Sequence, residues 1–436
     1  MSQKNGMNRR HFLRNSALGV AGAGFFSAAN LRLTGEDAVV PTPTIKSYRT
    51  LGRTEFKVSD ISSGAPMNVA VLNAMLDAGV NYIDTAEGYG RGKSELAVGE
   101  AIKNRDRKKL FITSKLYIKE TDTKETLLTR AHKCLERLNT EYIDCMMMHC
   151  PPVSALVKHE PFHEAMKQLK TEGKLRFTGI SNHGPENEKQ EPMDKVLLGA
   201  VADGRFDVML FVYSFAQSAQ SEVILKSCYD KNIGVTLMKT NPVSGYMAVK
   251  ADVEALQKEG KEVPVGMAQE FALMKAQADL AESFLKKYNL TNPAEIRSAA
   301  TRFVLAHPVV ATVCCSINSF EDMESFLKLS GQKFTSADEK KLSLYREASG
   351  SFYCRHACGI CHTACPHQVP VNTIMRFNHY FEAQGREKEA MLQYAQLTST
   401  KADKCFECSG FCQVACPYGV KIHGLLALAH QRLTLA

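Results

Sequence analysis

The chain has 436 residues, 44% hydrophobic and 23% charged, a balance that suits folded globular domains and excludes a disordered chain. That length exceeds a usual single domain and predicts two. The formal charge is +8, but half of it sits on Lys4, Arg9, Arg10 and Arg14, inside a stretch without acids. The remainder gives no reason to expect a nucleic-acid partner.

In chain order, Asn8-Arg9-Arg10-His11-Phe12-Leu13-Arg14 comes first, followed by an apolar, small-residue run from Ser16 to Ala29. A basic start, a short apolar stretch and the ending Ser27-Ala28-Ala29 describe an export signal. The run is too short for a membrane anchor. Adjacent arginines before Phe-Leu resemble a twin-arginine signal over residues 1–30, which implies a periplasmic protein exported in the folded state. Residues 31–47, with Pro41 and Pro43, read as a linker.

From Leu51 onward, short β-rich apolar runs alternate with charged helical stretches. The expected strands are Val58–Gly64, Tyr82–Thr85, Leu110–Lys115, Tyr142–His149, Phe177–Asn182, Val208–Tyr213, Gly234–Lys239 and Val310–Cys315. Between them lie helical patterns such as Glu125–Leu138, Pro161–Glu172 and Ser221–Lys231. Eight strands alternating with helices over residues 48–335 predict an α/β fold, a (β/α)8 TIM barrel. No Gly-x-Gly-x-x-Gly follows a first strand, which weakens the doubly wound alternative. The long interval 245–300 contains a helical segment, Gly266–Lys287, and then Thr291-Asn292-Pro293, where Thr291 or Asn292 would cap another helix with Pro293 in its first turn.

Asp84, Tyr89, Lys115 and His149 fall where successive strands finish, so a barrel would bring them to one pocket. A lysine ammonium beside a tyrosine stabilises the phenolate, lowers the phenol pKa and makes a better proton donor to a carbonyl oxygen. Asp84 would orient Lys115, and His149 would hydrogen-bond the same oxygen. Together with Leu51-Gly-Arg-Thr54, Asp84-Thr-Ala-x-x-Tyr89-Gly90, Ser114-Lys115 and Gly179-Ile-Ser-Asn182, these residues make the middle region resemble the aldo/keto reductase superfamily. The resemblance implies carbonyl–alcohol interconversion on a small-molecule substrate by hydride transfer with NAD(P), tightly held if the protein is exported. It implies Tyr89 as acid/base, tuned by Lys115 and Asp84, with His149 positioning the carbonyl. Ser181 and Asn182 would contact the nicotinamide amide, while Tyr213, Lys239, Ser316 and Asn318 occupy the other cofactor positions. The family's Gln before Tyr213 and its Arg after the eighth strand are missing, so a preference for NADP over NAD is open. His183 follows Asn182 and could reach the pocket, but a supporting or surface position is favoured.

Near the C-terminus, Cys354, Cys358, Cys361 and Cys365-Pro366 form one group, and Cys405, Cys408, Cys412 and Cys416-Pro417 a second. Four thiolates per group suit two [4Fe-4S] clusters, with zinc sites and disulfides as weaker readings. Residues 350–436 resemble the alpha-helical dicluster ferredoxin domain, a small all-helical iron-sulfur domain. By that resemblance, Cys354, Cys358, Cys361 and Cys416 hold one cluster, and Cys405, Cys408, Cys412 and Cys365 hold the other. Two roles stay open for the clusters, relaying electrons to a partner protein or structural and sensory service, and the alternative to an enzyme is an electron-transfer or binding module on a catalytically retired barrel. The oligomeric state and the substrate are not legible. Cys134, Cys145, Cys150, Cys228, Cys314 and Cys315 show no such grouping and read mostly as buried small hydrophobes.

Overall fold

A computed structural model describes residues 42–185, 190–216, 219–240, 292–349, 354, 358–383 and 387–434, with eight single positions between 253 and 290. Thr42–Ala436 form one compact unit. The residues of the expected export signal, most of the linker, and the helical segment Gly266–Lys287 apart from Lys286 lie outside the described residues. None of the described helices is long and apolar enough to cross a membrane.

Eight parallel strands close into a barrel: β3 (Ile61–Gly64), β4 (Tyr82–Asp84), β5 (Phe111–Leu116), β6 (Ile143–His149), β7 (Leu175–Asn182), β8 (Val208–Val212), β9 (Gly234–Met238) and β10 (Val310–Cys315), with β10 returning to β3. Two further strands, β1 (Tyr48–Thr50) and β2 (Lys57–Ser59), form an antiparallel hairpin. The run expected as one strand, Val58–Gly64, therefore splits. Asp60 is the break: its buried carboxylate accepts from Ser330 Oγ at 2.6 Å and from the Gly331 amide at 2.8 Å. That anchors the first barrel strand to the chain just after the last barrel helix. The hairpin loop delivers Leu51, fully buried, against the first residue of β9, Gly234, where an added Cβ would meet Leu51 at 2.8 Å.

Alternation along each strand sorts the side chains into two cores. Leu51, Tyr82, Phe111, Cys145, Met147, Val208 and Leu210 fill the barrel interior. Tyr82 and Phe111 stack there at 5.4 Å between ring centroids. The intervening residues Ile83, Ile112, Met146, Met148, Ile180 and Met209 face outward into a second core shared with the surrounding helices. Continuing inward along the strands in steps of two reaches Asp84, Lys115, His149 and Ser181. The period that fills the barrel also places its polar upper layer.

Helix starts follow local chemistry. Thr123 caps Lys124–Leu138 through a reciprocal pair with Thr126. Of the two caps the sequence offers, Asn292 serves Pro293–Ala306, accepting from the Ala294 amide at 3.0 Å.

The C-terminal region is helical, with Val371–Ala383, Glu387–Ala395 and Ile422–Leu433 around a core that includes Val371, Ile374, Phe377, Ala390, Tyr394 and Leu426. The iron-sulfur expectation is corrected here. Among the described residues, which include all eight cysteines, no group of three or more His, Cys, Asp or Glu is disposed to hold a metal ion. Cys354, Cys358, Cys361 and Cys416 line a void of about 10 Å³, room for about one water-sized sphere. Around the second group, burial and the neighbouring thiols of Cys412, Cys365 and Cys408 push the Cys405 thiol up to about 12. The spacing in sequence gathers these side chains from two loops, but gathering is not ligation. As placed, they do not fit two [4Fe-4S] clusters. A helical C-terminal region replaces the ferredoxin-type domain, and no electron relay is built on it.

Candidate active site

Lys115 is fully buried on β5 and Asp84 is only 3% exposed at the end of β4. The lysine Nζ donates to Asp84 Oδ2 at 2.7 Å, to the Thr85 carbonyl at 2.8 Å and to Tyr89 Oη at 3.3 Å. An ammonium has three protons, and here each has an acceptor. Because Lys115 donates to the tyrosine oxygen, the phenolic proton must point elsewhere. Tyr89 sits on the turn after β4, where Gly90 and Arg91 adopt left-handed φ of 58° and 56°. That turn folds the ring back over Lys115, whose Nζ lies 4.6 Å from its centroid.

Electrostatics corrects one expectation. Burial pushes the Tyr89 phenol up to about 12, and the opposing pull of Lys115 does not cancel it. Burial also raises the Asp84 carboxyl against the influence of Lys115. For Lys115 itself burial acts downward, but Asp84 and Tyr89 together outweigh it and hold the ammonium above its ordinary value. The site therefore contains a buried ion pair beside a neutral phenol. His149, at the end of β6, stacks on Tyr117 at 4.0 Å and meets Tyr89 edge-on at 5.6 Å. Burial, then the charges of Lys115 and His183, hold its imidazole down to about 2. His149 is thus a neutral ring, able to donate one hydrogen bond without carrying charge.

A cavity of about 240 Å³ opens beside this group, lined by Tyr117, His149, Cys150, Asn182, His183 and Glu191 among others. Of the expected cofactor residues, Ser181 is buried at the end of β7, opposite His149 in the strand register. Asn182 lines the cavity, but its amide already donates to the Pro151 carbonyl at 3.1 Å and accepts from the Gly184 amide at 2.7 Å. Lys239 stands one residue past β9 with a left-handed φ of 53°. Ser316 and Asn318 are exposed in the loop after β10. Tyr213 does not join them: its ring stacks on Phe303 at 5.6 Å, and its hydroxyl donates to Glu222 at 2.6 Å.

One contributor was missed in the sequence and another was given the lesser of two places. Tyr117 lies two residues beyond Lys115, so strand alternation already put it on the cavity side. Its carbonyl accepts from Arg130, which also pairs with Glu87 and Asp122. His183, read as a supporting or surface residue, instead lines the cavity.

The model of the aldo/keto reductase family matches residues 51–343. The chain belongs to the aldo/keto reductase family. Among curated proteins, it is 32% identical over 166 residues to the uncharacterized oxidoreductase YqkF of Bacillus subtilis, covering 33% of this chain and 51% of that protein. It is 33% identical over 136 residues to the methylglyoxal reductase YeaE of Escherichia coli, covering 31% and 46%. The chain thus spans about half the length of these curated relatives. A similar solved structure is the aldo-keto reductase AKR11C1 from Bacillus halodurans, 20% identical, covering 72% of this chain and all of that one, with a TM-score of 0.49. The family match ends before the cysteine groups and begins after the N-terminal segment. It lends no support to an iron-sulfur domain or a twin-arginine signal, and both are dropped from the identification.

Proposed function

We propose that this aldo/keto reductase interconverts a carbonyl and an alcohol on a small molecule, with Tyr89 passing the proton. The observation that carries the reading is the Lys115 ammonium, held by Asp84 and Thr85, donating to the Tyr89 oxygen rather than receiving from it. A phenolate forming at Tyr89 would be met by a charge already in place, with no reorganisation. His149, kept neutral, would donate to the carbonyl oxygen and orient it beside Tyr89. The dinucleotide NAD(P)H, expected from the family, supplies the hydride when bound. Ser181 and Asn182 at the end of β7, Lys239 after β9, and Ser316 and Asn318 after β10 stand on the same end of the barrel and fit its attachment. Tyr213 does not.

Relatives named as methylglyoxal reductases make methylglyoxal the first aldehyde to offer. Turnover is followed as loss of NADPH or NADH absorbance with purified protein, with Tyr89→Phe as the control. The expected result is aldehyde-dependent oxidation that falls by about 10²–10⁴-fold in Tyr89→Phe. No oxidation of either dinucleotide across a panel of aldehydes and ketones would overturn the reading.

A further inference from the structure

His149 is the ring asked to orient a carbonyl, and among the described residues its buried Nδ1 has no hydrogen-bond partner. The bond made by one ring nitrogen ordinarily sets how the other is presented. Here two ring contacts take that place. His149 stacks on Tyr117 at 4.0 Å with the planes 21° apart, and it meets the edge of Tyr89 at 5.6 Å.

Tyr117 is itself 48% exposed on the loop after β5, so packing alone does not hold it. Its backbone is held instead, at both polar atoms. The amide donates to Glu87 Oε1 at 3.1 Å, and the carbonyl accepts from Arg130 Nη2. Arg130, on the helix Lys124–Leu138, also grips Glu87: Nε donates to Oε2 at 3.1 Å, and Nη2 donates to Oε1. Its Nη1 donates to Asp122 at 3.1 Å, and Asp122 accepts from the Lys119 amide at 2.8 Å, which closes the loop behind Tyr117. A planar guanidinium fork meets all these acceptors at once, as a lysine ammonium does not.

Glu87 also reaches the other catalytic ring. It stands two residues before Tyr89, and its amide donates to the Lys115 carbonyl at 3.2 Å. The intervening Gly88 passes so close to Tyr117 that an added Cβ would lie 3.1 Å from the ring's Cε2. One ion pair thus ties the turn that carries Tyr89 to the loop whose ring carries His149.

We propose that Glu87 and Arg130 are positioning residues: by clamping the Tyr117 backbone they hold its ring against His149 and fix the imidazole relative to Tyr89. This rests on the carbonyl–alcohol reading above, in which His149 and Tyr89 meet one oxygen. It adds two residues that act through Tyr117 rather than on the substrate.

The test uses the full chain with Arg130→Met, Tyr117→Ala and the double variant. The first readout needs no turnover. In protein carrying isotope-labelled histidine, the His149 Cε1–H resonance is identified by its loss in His149→Phe, and it is shielded while Tyr117 covers the ring face. It should move downfield in Tyr117→Ala, and Arg130→Met should move it part or all of the way to that position. A resonance that stays in place in Arg130→Met overturns the proposal. The second readout is kcat and KM for the aldehyde that the unmodified protein reduces fastest. Arg130→Met should lower kcat by about 10–10²-fold, the cost of a small misplacement, with KM changed less. The double variant should be slower than Tyr117→Ala by no more than about twofold, because both changes remove the same placement. Losses that multiply, or an unchanged kcat in Arg130→Met, overturn the proposal. If the unmodified protein reduces no aldehyde, the carbonyl reading falls and the resonance alone decides the clamp. Should Arg130→Met fail to fold by circular dichroism, Glu87→Gln takes its place in both readouts, with the same outcomes deciding.

Discussion

Replacing Lys115 with methionine isolates the ion pair at the centre of the barrel. The substitution keeps length and apolar volume but strands Asp84, which is 3% exposed and whose Oδ1 already has no hydrogen-bond partner. Breaking a buried pair from one side costs about 3–5 kcal/mol, mostly the penalty of the charge left behind. Here the Thr85 carbonyl and Tyr89 Oη lose a donor as well. Asp84 can escape part of that cost by taking up a proton. Burial already raises its pKa with Lys115 present, and removing the ammonium raises it further. A carboxyl whose folded pKa lies above its unfolded value destabilises the fold as pH rises through the unfolded value, about 4. The deficit of Lys115→Met should therefore be larger at pH 8 than at pH 5. Asp84→Asn combined with Lys115→Met should recover part of it, giving a coupling energy of about 1–3 kcal/mol. Urea denaturation of the four proteins at both pH values is the assay. A loss below about 1 kcal/mol at pH 8, or no coupling, would mean that the pair is not buried as described.

Tyr89→Phe should cost little stability, about 1 kcal/mol or less, while lowering kcat by the factor given above; a large fall in stability would point to packing instead. Because the phenol is pushed up to about 12, the rate of carbonyl reduction should not fall between pH 7 and 9, and a fall centred near 9 would show that Lys115 outweighs burial. His149 and His183 are held down to about 2 and about 4. The stability each contributes is complete above the unfolded imidazole value near 6.5 and drains as pH drops, at about 1.4 kcal/mol per pH unit per ring; His149→Phe should shallow the slope of urea stability between pH 6.5 and 5. Gly179→Ala would place a Cβ 2.8 Å from the Val208 carbonyl oxygen and 2.8 Å from Cys145 Sγ. It should destabilise by about 1–3 kcal/mol, and a neutral result in the same assay would contradict the tight β7–β8 approach.

The barrel was legible because each strand carries its own period. Ile112, Ser114 and Leu116 alternate with Phe111, Thr113 and Lys115, and the same two-residue step runs through β6 from Cys145 to His149. Asp84, Tyr89 and Lys115 were legible for the same reason, since strand ends that neighbour in sequence also neighbour in space. Where a residue's role depends on a distant element, the sequence said less. Asp60 breaks the first strand only because Ser330 and Gly331 come from far along the chain to meet its carboxylate. Tyr213 turns from the barrel mouth because Glu222 and Phe303 offer its hydroxyl and ring a better place. The cysteine spacing was regular enough to suggest metal ligation. Spacing fixes which side chains are gathered, however, not the geometry of ligation, and among the described residues no gathered group is disposed to hold a metal ion.

The direction of the Tyr89 shift changes how the site must work. A phenol pushed up by burial is a weak acid in the resting site, so Lys115 is not there to ionise it beforehand. Asp84 and Lys115 cancel each other's charge, and the group around Tyr89 is close to neutral before reaction. In the proposed reaction the first net charge to develop would be the phenolate left when the proton moves to the substrate oxygen. At that moment the hydrogen bond from Lys115, 3.3 Å in the resting structure, gains most, because it then joins two opposite charges in a low-dielectric interior. On the proposed reading the ammonium would be worth more in the transition state than in the ground state. That difference is what a catalytic group must supply, and it follows from the same burial that makes the tyrosine appear inert at rest.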